Sequence, residues 1–271
     1  MTTRRFVTGI AQLNGVDIYY ETHGDGPPLV LVAGLASDSQ SWLPVLEPLA
    51  ERFTVIAYDH RDVGRTVSHA TEVSMALLAD DCAALMEHLG VAEAHVLGHS
   101  MGGFIAQELA ARDPDRVDRV ILVGTALENT ARNDALLLGM ARSLGSGADR
   151  EAWFREFFRW IFTARLLQDE AAVTEALRLA VEYPYPQTPE QFRRQVEAVV
   201  RFDPVDPSRI GAKTLVMTGS EDLLFPPEQG RILAEELPDA EFLQVPGAAH
   251  AIHVEAPDAF VGAVLRFLDS R

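Results

Sequence analysis

One cysteine, one lysine and no long apolar run set the first bounds on this 271-residue chain. A lone Cys82 excludes an internal disulfide, and nothing in the cysteine usage argues for an oxidising compartment. It falls in a helical apolar stripe and reads as a small core residue. No apolar stretch approaches the roughly 18 residues that a membrane-spanning helix needs. The basic start of the chain is not followed by an apolar segment of the signal-peptide kind, so the expectation is a cytoplasmic protein that does not engage membranes. Positive charge is also scarce: 23 Lys and Arg face 40 Asp and Glu, for a net charge of -17. Nucleic acid and anionic membrane carry the same sign, so neither is expected as a partner. Lys213 is the sole lysine. Repeats, linkers and low-complexity segments are absent as well.

What is present is length and apolar content. At 48% hydrophobic, the chain can bury a large core in one α/β domain, with room for an insertion.

The most informative stretch is Ala94-His95-Val96-Leu97-Gly98-His99-Ser100-Met101-Gly102-Gly103-Phe104. A short apolar run suited to a buried strand meets a G-x-S-x-G pentapeptide and passes directly into a helical sequence. Strand, sharp turn and helix are what a nucleophile elbow demands. The turn is tight enough that positions two before and two after the serine must lack large side chains, and Gly98 and Gly102 satisfy this. Ser100 is therefore the candidate nucleophile, held in a strained conformation at the positive end of a helix.

Around it, strands and helices alternate. Residues 5–13 and 16–23 read as a hairpin joined by the type I′ signal Asn14-Gly15. The apolar run 29–32 suits a strand buried on both faces. A helix over 41–52, with Pro44 in its first turn, precedes a strand over 53–58. The charges of Asp59-His60-Arg61-Asp62-Val63-Gly64-Arg65-Thr66 read as salt bridges bracing a loop. Over 74–89 the apolar residues share one narrow helical face, with Asp80, Asp81, Glu87 and His88 off it and Gly90 closing the helix. A helix ends near Asp113-Pro114, and a strand follows over 117–123. Alternation without hairpins implies a doubly wound, mostly parallel sheet.

Between residues 126 and 205 the alternation stops. Helical patterns fill the interval, so the expected organisation is a core domain of residues 1–125 and 206–271 carrying a helical cap over 126–205. One cap helix shows Trp153, Phe154, Phe157, Phe158, Trp160, Ile161 and Phe162 over half its circumference. A stripe that wide exceeds what packing on one surface needs: either part of it roofs an apolar pocket, with Trp153, Phe157 and Trp160 as the candidate substrate contacts, or all of it packs into the core and the rest of the cap. Alternation resumes with a strand over 213–219, a helix over 228–237, a strand over 241–245 and a helix from Pro257.

A serine hydroxyl needs a base to take its proton and an acid to orient that base. His99 lies inside the elbow, where its side chain is expected to turn away from the serine. His23, His60, His69, His88 and His95 read as turn, strand-end or surface residues. His250, on the flexible Gly-Ala-Ala turn after the last strand, is the expected base, with His253 as the fallback. Asp222, just past the strand 213–219, is the expected acid; Glu221 is its neighbour, and Glu128 or Asp134 would be a different solution. The backbone N–H groups of Met101 and Leu35 are the expected oxyanion donors. No metal or other cofactor is needed, and His250-x-x-His253 lacks a further ligand at metal spacing.

Taken in order, Ala33-Gly34 with Trp42, Tyr58-Asp59-His60-Arg61, the elbow, Gly219-Ser220-Glu221-Asp222 with Pro226, and His250 with Glu255-Ala256-Pro257 and Phe260 resemble α/β-hydrolase-fold serine hydrolases over nearly the whole chain. The similarity extends to 3-oxoadipate enol-lactonases, aminoacrylate hydrolases and polyketide methylesterases. Two positions depart from that pattern: Ala33 replaces a histidine before the oxyanion glycine, and Asp62 replaces a glycine after Arg61. The resemblance implies hydrolysis of a carboxylic ester or lactone that is of medium size and largely apolar. Carbon–carbon bond hydrolysis, cofactor-free perhydrolysis and ligand binding without turnover are the alternatives the same fold allows.

Overall fold

The computed structural model describes residues 6–68 and 72–269. Arg5 of the expected hairpin and His69 lie outside them.

The chain opens with β1 (Phe6–Leu13) and β2 (Val16–His23), an antiparallel pair. Asn14 and Gly15 both take positive φ, 47° and 72°, the type I′ geometry that matches strand twist. β3 (Pro28–Val32) leads through a 3₁₀ turn, Ser39–Trp42, into α1 (Leu43–Ala50). The helix expected over 41–52 is thus shorter and begins in tighter form, because Asp38 caps the turn by accepting from the Gln40 N–H. Then come β4 (Thr54–Tyr58), the short β5 (Val67–Ser68) and α2 (Met75–His88), capped by Ser74. β6 (Ala94–His99), α3 (Met101–Arg112) and β7 (Val117–Val123) follow.

Between β7 and the next strand lie only helices among the described residues: α4 (Ala131–Gly145), α5 (Arg150–Ile161), α6 (Ala164–Leu167), α7 (Glu170–Val181) and α8 (Pro189–Val200). We refer to this segment as the cap. The chain closes with β8 (Lys213–Gly219), α9 (Pro227–Glu236), β9 (Ala240–Val245), α10 (Ile252–Glu255) and α11 (Pro257–Asp269).

The sheet order is β1-β2-β4-β3-β6-β7-β8-β9, with β5 beside β2. From β4 to β9 every pairing is parallel. The central strands read as unbroken apolar runs because both faces are covered. Val30, Val96, Val120 and Val216 face one core with α2, α3 and α9. Leu31, Leu97, Ile121 and Leu215 face the other, with α1 and α11. Parallel order also places the loops after β3, β6, β7, β8 and β9 at one edge, where ligands bind in open α/β sheets.

One expectation fails on α2. Asp81 is buried, 2% exposed, and takes both ends of the Arg61 guanidinium, itself 1% exposed. Asn14 also donates to it, at 3.0 Å. Helical periodicity marks Asp81 as polar and therefore outward; a nonlocal arginine makes the inward position tenable. Arg61→Leu strands this carboxylate and is expected to destabilise the fold by about 3–5 kcal/mol, whereas Arg61→Leu with Asp81→Leu recovers most of the loss. Urea unfolding of the two variants measures the difference.

Candidate active site

β6 runs into α3 through Ser100 alone, whose φ of 56° and ψ of -120° are strained for a residue with a Cβ. The neighbouring glycines permit this turn. A Cβ on Gly98 would lie 2.2 Å from the Gly102 carbonyl oxygen, and one on Gly102 would lie 2.0 Å from that of Val32. Both obstacles are backbone, which cannot swing aside. Met101 opens α3, where first-turn N–H groups lack an intrahelical acceptor and point at the helix mouth.

Leu35 lies on the loop after β3, and both Leu35 and Met101 border the cavity that contains Ser100. The loop is held from two sides. The His60 Nε2–H donates to the Ala33 carbonyl at 3.0 Å, bracing the position where Ala33 departs from the family pattern. From the cap, the Gln195 Oε1 accepts from the Ala36 N–H at 3.3 Å, while its Nε2 donates to the Arg61 carbonyl at 2.9 Å.

His250 follows β9 and Asp222 follows β8. The His250 Nδ1–H donates to Asp222 Oδ2 at 2.9 Å, and both side chains are buried. Asp222 Oδ1 accepts from the backbone N–H groups of Leu224 and Phe225, at 2.8 and 2.9 Å. The carboxylate is thereby fixed, and with it the imidazole tautomer that leaves Nε2 as an acceptor. His250 and Ser100 share one cavity. Of the other acids weighed from sequence, Glu128 is exposed and Asp134 accepts from the Asn129 amide at 2.6 Å. Neither contributes to the His250 pair.

Two further histidines surround this pair. His99 lines the cavity, with its ring 4.7 Å from that of His250 and its Nε2–H donated to the His250 carbonyl at 3.0 Å. Burial, then the neighbouring His250 and His253, holds His99 well below the ordinary histidine range. His253 packs against Trp42, with ring centroids 4.9 Å apart, and burial followed by His250 pushes it down to about 3. Among the described residues no group of His, Cys, Asp and Glu could hold a metal ion.

A histidine kept neutral by burial makes the fold acid-sensitive. The unfolded chain binds a proton near pH 6.5, whereas folded His253 does so only near 3, so its contribution to stability is complete above about 6.5 and is lost as pH falls toward 3. At pH 5 the loss from His253 is about 2 kcal/mol relative to pH 8, and His99 acts in the same direction. Urea unfolding at the two pH values should show that gap, and His253→Gln should narrow it.

The cavity measures about 200 Å³. Its cap wall includes Phe157, Ile161 and Phe162 of the aromatic stripe. Trp153 and Trp160 are not in that wall, which corrects their expected role at Ser100. Trp153 is one turn too early: its indole N–H donates to the Met140 carbonyl at 3.0 Å, its ring meets Phe192, and it borders a second cavity of about 330 Å³. Trp160 lies beside the Arg132 guanidinium, 5.9 Å from its ring. Phe158 packs with Val173 and Leu177 inside the cap. The stripe is wide because it serves several partners.

Glu255 ties the cap to the histidine loop. One carboxylate oxygen accepts from the Thr163 N–H and hydroxyl at 3.0 and 2.7 Å, the other from the Ala249 N–H at 2.8 Å. The Ala251 N–H also donates to the Ile161 carbonyl at 3.1 Å. In the sequence Glu255 stands out only as part of the Glu255-Ala256-Pro257 stretch of the resemblance, which gives it no role.

The family described as alpha/beta hydrolase fold matches residues 27–257. A protein of Azorhizobium caulinodans named as the carbamate hydrolase RutD is 32% identical over 255 residues, covering 93% of this chain and 94% of its own. One from Mycobacterium tuberculosis, named as the non-heme bromoperoxidase BpoC, is 31% identical, covering 94% and 98%. The crystal structure of an enol-lactonase from Burkholderia xenovorans superposes with a TM-score of 0.87 at 29% identity, covering 96% of this chain and 100% of that one.

Proposed function

Since the chain belongs to the alpha/beta hydrolase fold family, we propose that it is a serine hydrolase cleaving an uncharged carboxylic ester or lactone through an acyl-enzyme on Ser100. The observation that carries this reading is a strained Ser100 sharing one cavity with His250, whose Nδ1–H is held by the buried Asp222 behind it. Hydrolases among its relatives, a carbamate hydrolase and an enol-lactonase by name, support the reaction class.

In this mechanism His250 Nε2 takes the Ser100 proton as Oγ attacks the acyl carbonyl. The negative charge that develops on the carbonyl oxygen is met by the Met101 and Leu35 N–H groups. The imidazolium, stabilised by Asp222, then protonates the departing alcohol or enol oxygen. Water, deprotonated by His250, attacks the acyl-enzyme and regenerates Ser100. Phe157, Ile161 and Phe162 supply an apolar roof over the acyl group. Among the described residues, no Lys, Arg, Asp or Glu lines this cavity. A substrate carboxylate would be buried there without a counter-ion, against a net charge of -17.

Reaction with a fluorophosphonate tests the nucleophile. The intact mass should rise by one adduct in the native chain and not in Ser100→Ala; no adduct, or one that survives the substitution, would contradict the reading. Trp153, Trp160 and His253 are not placed in any bond-making step.

A further inference from the structure

Ser37 and Ser41 border both the Ser100 cavity and the second cavity of about 330 Å³. The two spaces therefore meet at two small side chains. Their hydroxyls are turned back on their own loop, donating to the Leu35 and Asp38 carbonyls at 3.4 and 2.8 Å. Size gives the meeting its interest. The 200 Å³ at Ser100 is less than the roughly 300–1,000 Å³ usual for a small-molecule pocket, and the second cavity brings the pair into that range.

The second cavity is held open by bonds between cap and core. Phe154 of α5, Leu179 and Ala180 of α7 and the connector after α7 form its cap side. That connector is tied down twice: the Tyr183 hydroxyl donates to Asp38 Oδ2, and Gln187 Nε2 donates to the Asp62 carbonyl at 2.8 Å. Native interiors leave few voids larger than a water, so a space of this size with fixed walls points to an occupant. Its rim is open: Leu179 and Tyr185 are 55% and 46% exposed.

The two charged residues of its lining are engaged locally. Asp38 Oδ1 accepts from the Gln40 N–H at 2.9 Å, its Oδ2 from Tyr183, and the Arg150 guanidinium stands over the Phe154 ring, 5.7 Å from its centre. Aromatic and aliphatic surface dominates what remains. Rings of this wall already meet edge to face, Trp153 with Phe154 at 5.1 Å and Tyr183 with Tyr185 at 6.0 Å, an arrangement that another ring can extend. A flat, rigid group buries large apolar area there at little conformational cost.

Resting on the hydrolase reading above, we infer that the two cavities form one substrate site, and that the second takes an uncharged aryl group carried several bonds from the scissile carbonyl. Phe154 and Tyr183 are then specificity determinants. The substrate class narrows to aryl-substituted esters or lactones.

Two matched pairs of esters probe the acyl and the alcohol halves. Ethyl 5-phenylpentanoate differs from ethyl pentanoate, and 4-phenylbutyl acetate from butyl acetate, by the terminal ring alone. In at least one pair the aryl ester should show kcat/KM about ten- to a hundred-fold higher, the value of burying one such ring. Ala180→Trp, which fills the second cavity from α7, should shrink that ratio several-fold. Leu179→Trp at the exposed rim should act in the same direction and serves where the first variant does not fold. A general loss of rate affects both members of a pair and leaves their ratio. Equal rates within both pairs, or a preference that survives in the folded variants, would overturn the inference while leaving the hydrolase reading intact. A fluorophosphonate adduct without turnover of any of the four esters would do the same. No turnover and no adduct would overturn that reading and the inference with it.

Discussion

Ser100→Ala is expected to lower kcat for p-nitrophenyl acetate by about 10⁴- to 10⁶-fold, the range in which the loss of a triad serine removes nearly all triad catalysis and leaves only binding and oxyanion stabilisation. The fold should hardly notice. Alanine keeps the Cβ that strains the backbone at φ 56°, and the cavity side of the residue loses only one oxygen. Unfolding free energy should thus stay within about 1 kcal/mol of the native chain. Ser100→Gly separates the two roles more sharply: it abolishes activity equally and should stabilise the protein by about 1 kcal/mol, because glycine accepts this φ and ψ without strain. A loss of activity under tenfold for Ser100→Ala would contradict the assignment of the nucleophile.

That strain could be read from the pentapeptide because its cause is local. Gly98 is small for a reason written within five residues, the Gly102 carbonyl, and the same holds for Asn14-Gly15 at the hairpin, whereas Gly102 is kept small by the Val32 carbonyl of the neighbouring strand. The buried strands were legible for a similar reason: apolar runs such as Val30 and Leu31 alternate between two covered faces, so the pattern needs no distant partner. Asp81 shows where local reading ends, since its direction depends on Arg61, twenty positions away. Asp62 shows it more clearly. Its φ of 68° lies in the left-handed region that favours glycine, the residue the resemblance leads one to expect there, and its carboxylate pairs with Arg194 of α8, 132 positions away. Nothing near Asp62 in the chain announces that partner. The aromatic stripe of α5 is the same case in apolar form: periodicity marks which side chains are inward but not which of several inward surfaces each one meets. Phe157 reaches the cavity at Ser100, Trp153 meets Phe192 and borders the second cavity, and Phe158 packs in the cap interior.

These nonlocal contacts converge on the catalytic loops. Gln195 holds the loop of Leu35, Glu255 holds the loop of His250, and Arg194 holds the turn that carries Arg61. Each joins cap to core through a buried or half-buried polar group. On the reading proposed above, the cap aligns the site as well as roofing it, and exchanging Gln195, Arg194 or Thr163, which holds Glu255, is expected to change substrate choice and catalytic geometry together.

Asp222→Asn should be nearly as damaging as loss of the serine, with kcat falling about 10⁴-fold. The cause lies in the two backbone donors on Asp222 Oδ1. Leu224 and Phe225 N–H require an oxygen at that position, so an asparagine must place its own oxygen there and turn its NH₂ toward His250 Nδ1. Nδ1 then has to accept, which moves the imidazole proton to Nε2, the atom that must take the proton from Ser100. Geometry is preserved while the base is blocked. An isosteric change should leave the urea midpoint close to that of the native chain, so that activity and stability part company. Nitrogen-15 chemical shifts of the His250 ring give the decisive reading: protonation at Nδ1 in the native chain and at Nε2 in Asp222→Asn is the expected result. If the variant keeps Nδ1 protonated and loses little activity, Asp222 does not orient the base, and the acid must be sought on the loop after β7.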